Sequence, residues 1–340
     1  MPADSARANG ARRATLRIAT RGSPLARIQA DRVASLLARQ TGITTEIVVI
    51  RTVGDLDTTS PLTEVGAGIG GQGVFVRKIQ EALLANAADI AVHSAKDLPS
   101  ETPRGLVLAS VPERADPRDA LVGKPLDLLR AGATVATGSA RRRAQLAGLR
   151  PDLTFVDLRG NMGTRVAESE RVGAGVLAMA ALDRLGLEGK VAGVLTTSQM
   201  LPQVGQGAIA VECREDDDES LEILRAIDDP DSHLALAAER AWLSEIGGGC
   251  SAPVAAHASV VRESPGGDTL IDLEAMIATH DGRIVLRRRA TGTEPHELAR
   301  QVAGALLDAS GGSDLIAGID GRADAGAATT PAPADPGGDR

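Results

Sequence analysis

Along the first two thirds of the chain, short β-branched and aliphatic runs alternate with longer segments whose apolar positions recur every three or four residues. These are the periods of strands and of amphipathic helices. Residues 16–20 read as a strand. Ser23 followed by Pro24 is a helix start, with serine as N-cap and proline at the first helical position, and the helical period continues to about residue 40. A β-branched strand is predicted over 44–52, a glycine-rich loop over 66–73, a helix over 74–85 and an apolar strand over 89–93. The order β-α-β-α-β implies a parallel sheet with right-handed crossovers.

The same order then returns. Strands over 133–137, 153–158 and 175–180 alternate with a helix capped by Ser139 and running to about 149, a helix from about Thr164, and a helix over 181–187. The last third differs. A helix is predicted over 233–246 and strands over 254–261, 270–278 and 284–290. The last two flank Asp281-Gly282, a hairpin signal, and a helix over 294–307 follows. The fold class expected is α/β: two similar α/β domains with a cleft between them, plus a small α+β third domain of antiparallel strands.

Composition narrows the function classes. The chain has 340 residues, enough for two or three domains. Its aromatic residues are Phe75, Phe155 and Trp242, so base stacking on aromatic platforms is essentially unavailable. A net charge of −8 argues against nonspecific attraction to nucleic acid or anionic membranes. No apolar run approaches the length of a membrane span, and residues 1–13 lack the apolar core of a secretory signal. A cytoplasmic protein is expected, with Cys213 and Cys250 reduced. The five histidines are scattered, so no metal site is expected. Residues 1–14 and the Ala/Gly/Pro-rich tail 316–340 read as disordered.

Chemistry gathers in two places. Cys250 lies in the sequence EIGGGCSAPV (245–254), where glycines form a loop and admit close approach of a ligand. A thiol there serves as a point of attachment or attack as readily as a small core residue. Elsewhere, basic residues recur where parallel strands end, the place where ligands bind in open sheets. Arg21 follows the first strand and Arg17 lies within it. Lys96 and Asp97 follow Ser94, Arg141 and Arg142 follow Thr137, Arg159 and Arg165 follow Leu158, and Arg184 lies past Ala180. Arg141, Arg142 and Arg143 oppose the dipole at a helix start, costing about 0.3–1 kcal/mol each. A bound anion would remove that conflict. The helical repeat prevents all three from facing one ligand, so Arg141 and Arg142 are the candidates and Arg143 is read as solvated. Arginine grips planar carboxylates at two points, which points to a substrate with several carboxylates. Asp97 amid these cations can stabilise a developing cation, or it can pair with Lys96 or shape a turn.

The stretches RIATRGSPLA (17–26), DIAVHSAKDLP (89–99), ERADPRDA (113–120), LRGNMGTR (158–165), VGQGAIAVECR (204–214) and Gly248-Gly249-Cys250 run in the order found in the porphobilinogen deaminase (hydroxymethylbilane synthase) family, which this chain closely resembles over about residues 15–315. The resemblance implies two α/β domains related to periplasmic binding proteins and a smaller third domain. Domain 1 would comprise 15–111 and 206–227, domain 2 would be 112–205, and domain 3 would be 228–315. It implies a transferase of porphyrin and heme biosynthesis that joins four porphobilinogens head to tail, releasing ammonia, into hydroxymethylbilane. The primer would be a covalent dipyrromethane cofactor, one per chain, on a thioether to Cys250. Asp97 would be catalytic, binding pyrrole N–H groups and stabilising the cation formed as ammonia leaves. Ser94, Lys96, Asp97, Thr137, Ser139, Arg141, Arg142 and Arg165 would hold the cofactor. Arg17, Arg21, Ser23, Gln29, Arg159 and Arg184 would hold the substrate and lengthening chain. A monomer is expected.

One region departs from the family pattern. Its mobile loop commonly carries lysines, whereas residues 64–73 here are glycine-rich and lysine-free, although Phe75 still matches. Two other readings of the residues stand beside the deaminase: a non-catalytic two-lobed binder of a polycarboxylate, and an enzyme using Cys250 as an ordinary nucleophile.

Overall fold

A computed structural model of the chain describes residues 13–50, 73–247, 253–262 and 268–315. Cys250, the loop 64–72, residues 1–12 and the tail 316–340 lie outside the described residues. Arg13, expected within a disordered terminus, is instead held by Asp89, Asp217 and Glu219. Opposite charges around it supply the fixed contacts that composition alone did not reveal.

The first sheet contains β1 (Thr15–Arg21), β2 (Thr44–Ile50), β3 (Ile90–Ser94), β4 (Leu106–Ser110) and β10 (Ile209–Arg214), in the order β2-β1-β3-β10-β4. β1 runs parallel to both neighbours, with Ile18 beside Ile47 on one side and Ile90 on the other. Helix α1 (Pro24–Thr41) starts as its sequence implies: Ser23 Oγ accepts from the Ala26 N–H and Pro24 opens the first turn. Its Ala30, Val33 and Leu37 pack on Leu16, Ile18, Ile90 and Val92. Burying each large aliphatic side chain contributes roughly 1.5–3 kcal/mol. Helix α2 (Gly73–Leu84) packs Ile79 and Leu83 beside Ala19 and Ala91.

The three strands read from the β-α-β-α-β pattern are parallel as expected, and the sheet gains β4 and β10 besides. β10 runs antiparallel between β3 and β4, with Val211 opposite Val92. The second sheet repeats this plan. It holds β5 (Asp119–Gly123), β6 (Thr134–Ala136), β7 (Thr154–Val156), β8 (Ala174–Ala178) and β9 (Val191–Val194), in the order β7-β6-β8-β5-β9. β6 is parallel to β7 and β8, while β5 is antiparallel to β8 and β9. Its helices are α3 (Ala140–Leu149), α4 (Met162–Val172) and α5 (Met179–Arg184). α4 begins earlier than its periodicity indicated, because Asn161 caps it by accepting from the Thr164 N–H.

Two segments join these sheets: residues 111–118 between β4 and β5, and residues 195–208 between β9 and β10. They touch where the Ala115 N–H donates to Gly207 O at 3.2 Å. Gly207 has φ +89° and a Cβ there would sit 2.5 Å from Ala115 O. The close approach therefore requires glycine. After β10 come α6 (Asp218–Arg225) and α7 (Pro230–Glu245). The third sheet is an antiparallel meander of β11 (Val254–Arg262), β12 (Thr269–Ala278) and β13 (Val285–Gly292). α7 and α8 (Pro295–Leu307) cover it, with Trp242 fully buried against Ile271, Leu273 and Leu306. Among the described residues no helix is long and apolar enough to cross a membrane.

Candidate active site

The exit of β3 presents the first half of the site. The strand ends at Ser94, and a single tight turn over Ala95–Asp97 follows, anchored by buried Ala95 and Leu98. This turn leaves Lys96 and Asp97 partly exposed beyond the strand. Ser94 is oriented by α1: Gln29 Nε2 donates to Ser94 Oγ at 2.8 Å. Gln203, on the returning segment, donates to Lys96 O at 3.2 Å.

The exit of β6 presents the second half. Thr137 is buried, its N–H donating to Val156 O and its Oγ1 accepting from the Ser139 N–H at 3.3 Å. Ser139 Oγ caps α3 by accepting from the Arg142 N–H. Arg141 is 4% exposed, and its Nη2 donates to Asp119 Oδ2 at 2.8 Å and its Nη1 to Leu201 O at 2.6 Å. Arg142 donates through Nη2 and Nε to Asp119 Oδ1 at 2.8 and 3.1 Å, and through Nη1 to Val176 O at 2.9 Å. Asp119 also accepts from Gln206 Nε2 at 2.9 Å.

The charges of the two halves act on one another. Burial pushes the Lys96 ammonium down to about 8; Asp97 and Asp119 oppose this, while Arg142 and Arg141 add to it. Arg165 is lowered by burial and by Arg142, and raised by Asp97. Lys96, Asp97, Arg141, Arg142 and Arg165 are thereby brought together from two sheets. Arg165 Nε donates to Gly160 O at 2.9 Å. Arg184 stands at the seam between the sheets. Its Nη2 donates to Gly207 O at 2.7 Å, and burial together with Arg32 on α1 lowers it to about 10.

Other expected residues stand apart. Arg17 is corrected from a substrate contact to a structural one: it lies near the start of β1 and its Nη2 and Nε bind Asp89 at 2.8 and 3.1 Å, away from the strand exits. Ser23 uses its hydroxyl to cap α1, and Gln29 is buried and reaches the site through Ser94. Arg21 ends β1 and is half-buried. Arg159 is exposed, 3.6 Å from Asp157. Arg143 reaches Asp157 at 3.1 Å and lies over the Phe155 ring. Arg141 and Arg142 do not depend on a bound anion to offset the helix dipole, because Asp119 supplies both with an internal counter-charge. Asp119 was missed because its place in the stretch 113–120 gave no sign of burial. Cys213 is a buried free thiol raised by burial to about 11, and it belongs to the first core.

Comparison with known proteins shows the family. The family described as "Porphobilinogen deaminase, dipyromethane cofactor binding domain" matches residues 16–222, and its C-terminal domain matches 233–308. A porphobilinogen deaminase of Roseiflexus sp. (strain RS-1) is 46% identical over 311 residues, 89% of this chain and 99% of that protein. One from Brevibacillus brevis is 43% identical over 256 residues, 74% of this chain and 81% of that protein. Among solved structures, the chain is similar to the methionine-binding protein MetQ (TM-score 0.38, 14% identity, covering 63% of this chain and 88% of that one). It is also similar to a periplasmic substrate-binding protein from Coxiella burnetii (TM-score 0.37, 15% identity, 66% and 96%). Matched along both of its conserved parts, and nearly half identical to a relative over almost that relative's whole length, the chain belongs to the porphobilinogen deaminase family.

Proposed function

We propose that this chain is a transferase that joins four porphobilinogens head to tail, releasing one ammonia at each step, into linear hydroxymethylbilane. The observation that carries this reading is the convergence of Lys96 and Asp97 from one sheet with Arg141, Arg142 and Arg165 from the other. Each porphobilinogen carries an acetate and a propionate, and a cleft whose cations outnumber its carboxylates suits them.

The residues fit a dipyrromethane primer. Arg141 Nε is buried without a hydrogen-bond partner, a donor still open at the cation cluster. Lys96, Arg141, Arg142 and Arg165 would take the primer's carboxylates, with Ser94, Thr137 and Ser139 as neutral neighbours. Cys250, on the segment between α7 and β11, would carry the thioether. When bound, the primer supplies the terminal pyrrole to which the first substrate is joined. Asp97 would accept hydrogen bonds from pyrrole N–H groups and stabilise the cation formed as ammonia leaves. Arg21, Arg159 and Arg184 would receive incoming substrate. Residues 15–111 with 206–227, 112–205 and 228–315 would act as three domains of a monomeric cytoplasmic enzyme.

Intact mass under denaturing conditions tests the reading. The active protein is expected to carry a dipyrrole adduct that is absent from Cys250→Ser. A bare polypeptide from active wild-type enzyme would overturn it.

A further inference from the structure

Asp119 is fully buried at the first position of β5. Its two oxygens are divided between two cations: Oδ2 accepts from Arg141 Nη2 at 2.8 Å, and Oδ1 accepts from Arg142 Nη2 at 2.8 Å and Nε at 3.1 Å. The opposite edge of each guanidinium is held by a carbonyl, Leu201 O for Arg141 and Val176 O for Arg142. Both planes are thus fixed by groups that no ligand contributes. An arginine free to rotate loses side-chain entropy when it grips an anion, whereas one already held does not. Two cations on one carboxylate also leave a positive charge for a ligand.

The same carboxylate reaches the segments joining the sheets. Gln206 Nε2 donates to Asp119 Oδ1 at 2.9 Å and to Pro117 O at 2.7 Å. Pro117 belongs to the outgoing segment and Gln206 to the returning one.

We propose that Asp119 is a positioning residue for the anionic primer: it sets Arg141 and Arg142 in place before binding, and Gln206 ties that setting to the contact between the two joining segments. The inference rests on the reading of Arg141 and Arg142 as carboxylate-binding residues. Asp119, fully buried, would itself touch neither primer nor substrate.

The test follows primer loading by intact mass in unprimed protein incubated with limiting porphobilinogen, well below each variant's Tm. Asp119→Asn is expected to load about tenfold less, the order found when partners that orient a ligating group are removed. In an Arg141→Gln/Arg142→Gln background, adding Asp119→Asn is expected to change loading no further, because its action passes through the arginines. A merely structural role would lower loading in both backgrounds. Wild-type loading by Asp119→Asn, with defective loading by the arginine pair, would overturn the inference and leave the carboxylate-binding reading intact. Wild-type loading by the arginine pair would overturn that reading and the inference with it. Should Asp119→Asn fail to fold, Gln206→Leu replaces it, since it cuts the tie between Asp119 and the joining segments on which the setting of the arginines is proposed to depend. Reduced loading at an unchanged Tm supports the proposal, and unchanged loading overturns it.

Discussion

Glu239 and Arg114 meet in a buried two-point ion pair, Nη1 to Oε1 at 2.6 Å and Nη2 to Oε2 at 3.1 Å. Glu239 belongs to α7, whose end leads toward Cys250, and Arg114 to the segment leaving the first sheet. The same carboxylate accepts from the Gly205 N–H at 2.7 Å and from the Ala258 N–H of β11 at 2.8 Å. Arg114 Nε meanwhile donates to Gln206 O at 2.9 Å. One residue therefore binds both joining segments to the third sheet. Removing its charge leaves a buried guanidinium without its partner, so Glu239→Gln is expected to lose about 3–5 kcal/mol of stability. Urea unfolding of the two proteins measures this directly, and a loss under about 1 kcal/mol would show that the pair is not a principal tie.

Acid should act through the same kind of group. Burial alone would raise Glu239 and Asp119, but Arg114 with His257 and Arg141 with Arg142 more than reverse it, and both carboxyls are lowered to about 2. Their ordinary values are 4.5 and 3.8. Between those values and 2 the unfolded chain binds protons that the folded chain does not. The stabilisation is therefore present above about pH 4.5 and is lost as pH falls toward 2. Denaturant midpoints measured from pH 5 to pH 2 should fall steeply for the wild type and less steeply for Glu239→Gln; parallel curves would count against this assignment.

Lys96 gives a slope of the same sign at the other end of the scale. Its folded-state value of about 8 lies below its ordinary 10.5, chiefly through burial. Between pH 8 and 10.5 the unfolded chain binds the extra proton, so stability rises with pH across that window. Below pH 8 the cost is present in full. Cys250→Ser protein provides an unprimed form in which to measure this, and adding Lys96→Met is expected to flatten the slope. An unaltered slope would mean that another group is responsible.

What the sequence disclosed follows from how local each feature is. Ser23-Pro24 and Ser139 mark helix starts through contacts within three residues. Lys96 and Asp97 follow an apolar run directly, so their place beyond a strand was readable. The local pattern did not show β10, because its partners β3 and β4 are distant in sequence; only the family resemblance placed 206–227 with domain 1. Asp119 looks in sequence like any surface aspartate; its burial depends on Arg141, Arg142 and Gln206, which converge only when both joining segments are in place. Arg17 was misplaced for a related reason: membership of β1 does not show that Asp89, at the same end of the sheet, claims its guanidinium.

For Asp97 the expectation is chemical. It ends a short turn held by buried Ala95 and Leu98, and it is itself only partly buried. Asp97→Ala should therefore fold with a near-native Tm. If its carboxylate stabilises the cation, turnover of primed enzyme should fall by at least about a hundredfold, the cost of losing one electrostatic group aimed at developing charge. Steady-state kcat of protein shown by mass to carry the primer is the measurement. Normal turnover would remove Asp97 from the mechanism.

Gly207 couples the joining segments to Arg184. Its carbonyl accepts from the Ala115 N–H at 3.2 Å and from Arg184 Nη2 at 2.7 Å. At φ +89° with Ala115 O 2.5 Å from the Cβ position, alanine meets both an unfavourable backbone region and a clash with main chain that has no side-chain freedom to yield. Gly132 separates the two effects: its φ is +75° and nothing lies within 4 Å of its Cβ position. Gly132→Ala should lose about 1 kcal/mol from conformation alone, and Gly207→Ala should lose more, on the order of 1–3 kcal/mol beyond that. Relief of the clash requires the segments to part, which draws the Gly207 carbonyl away from Arg184. A rise in KM for porphobilinogen is therefore expected in Gly207→Ala and not in Gly132→Ala. Equal stability losses would show that the clash with Ala115 relaxes without cost, and an unchanged KM in Gly207→Ala would show that Arg184 keeps its position without this contact.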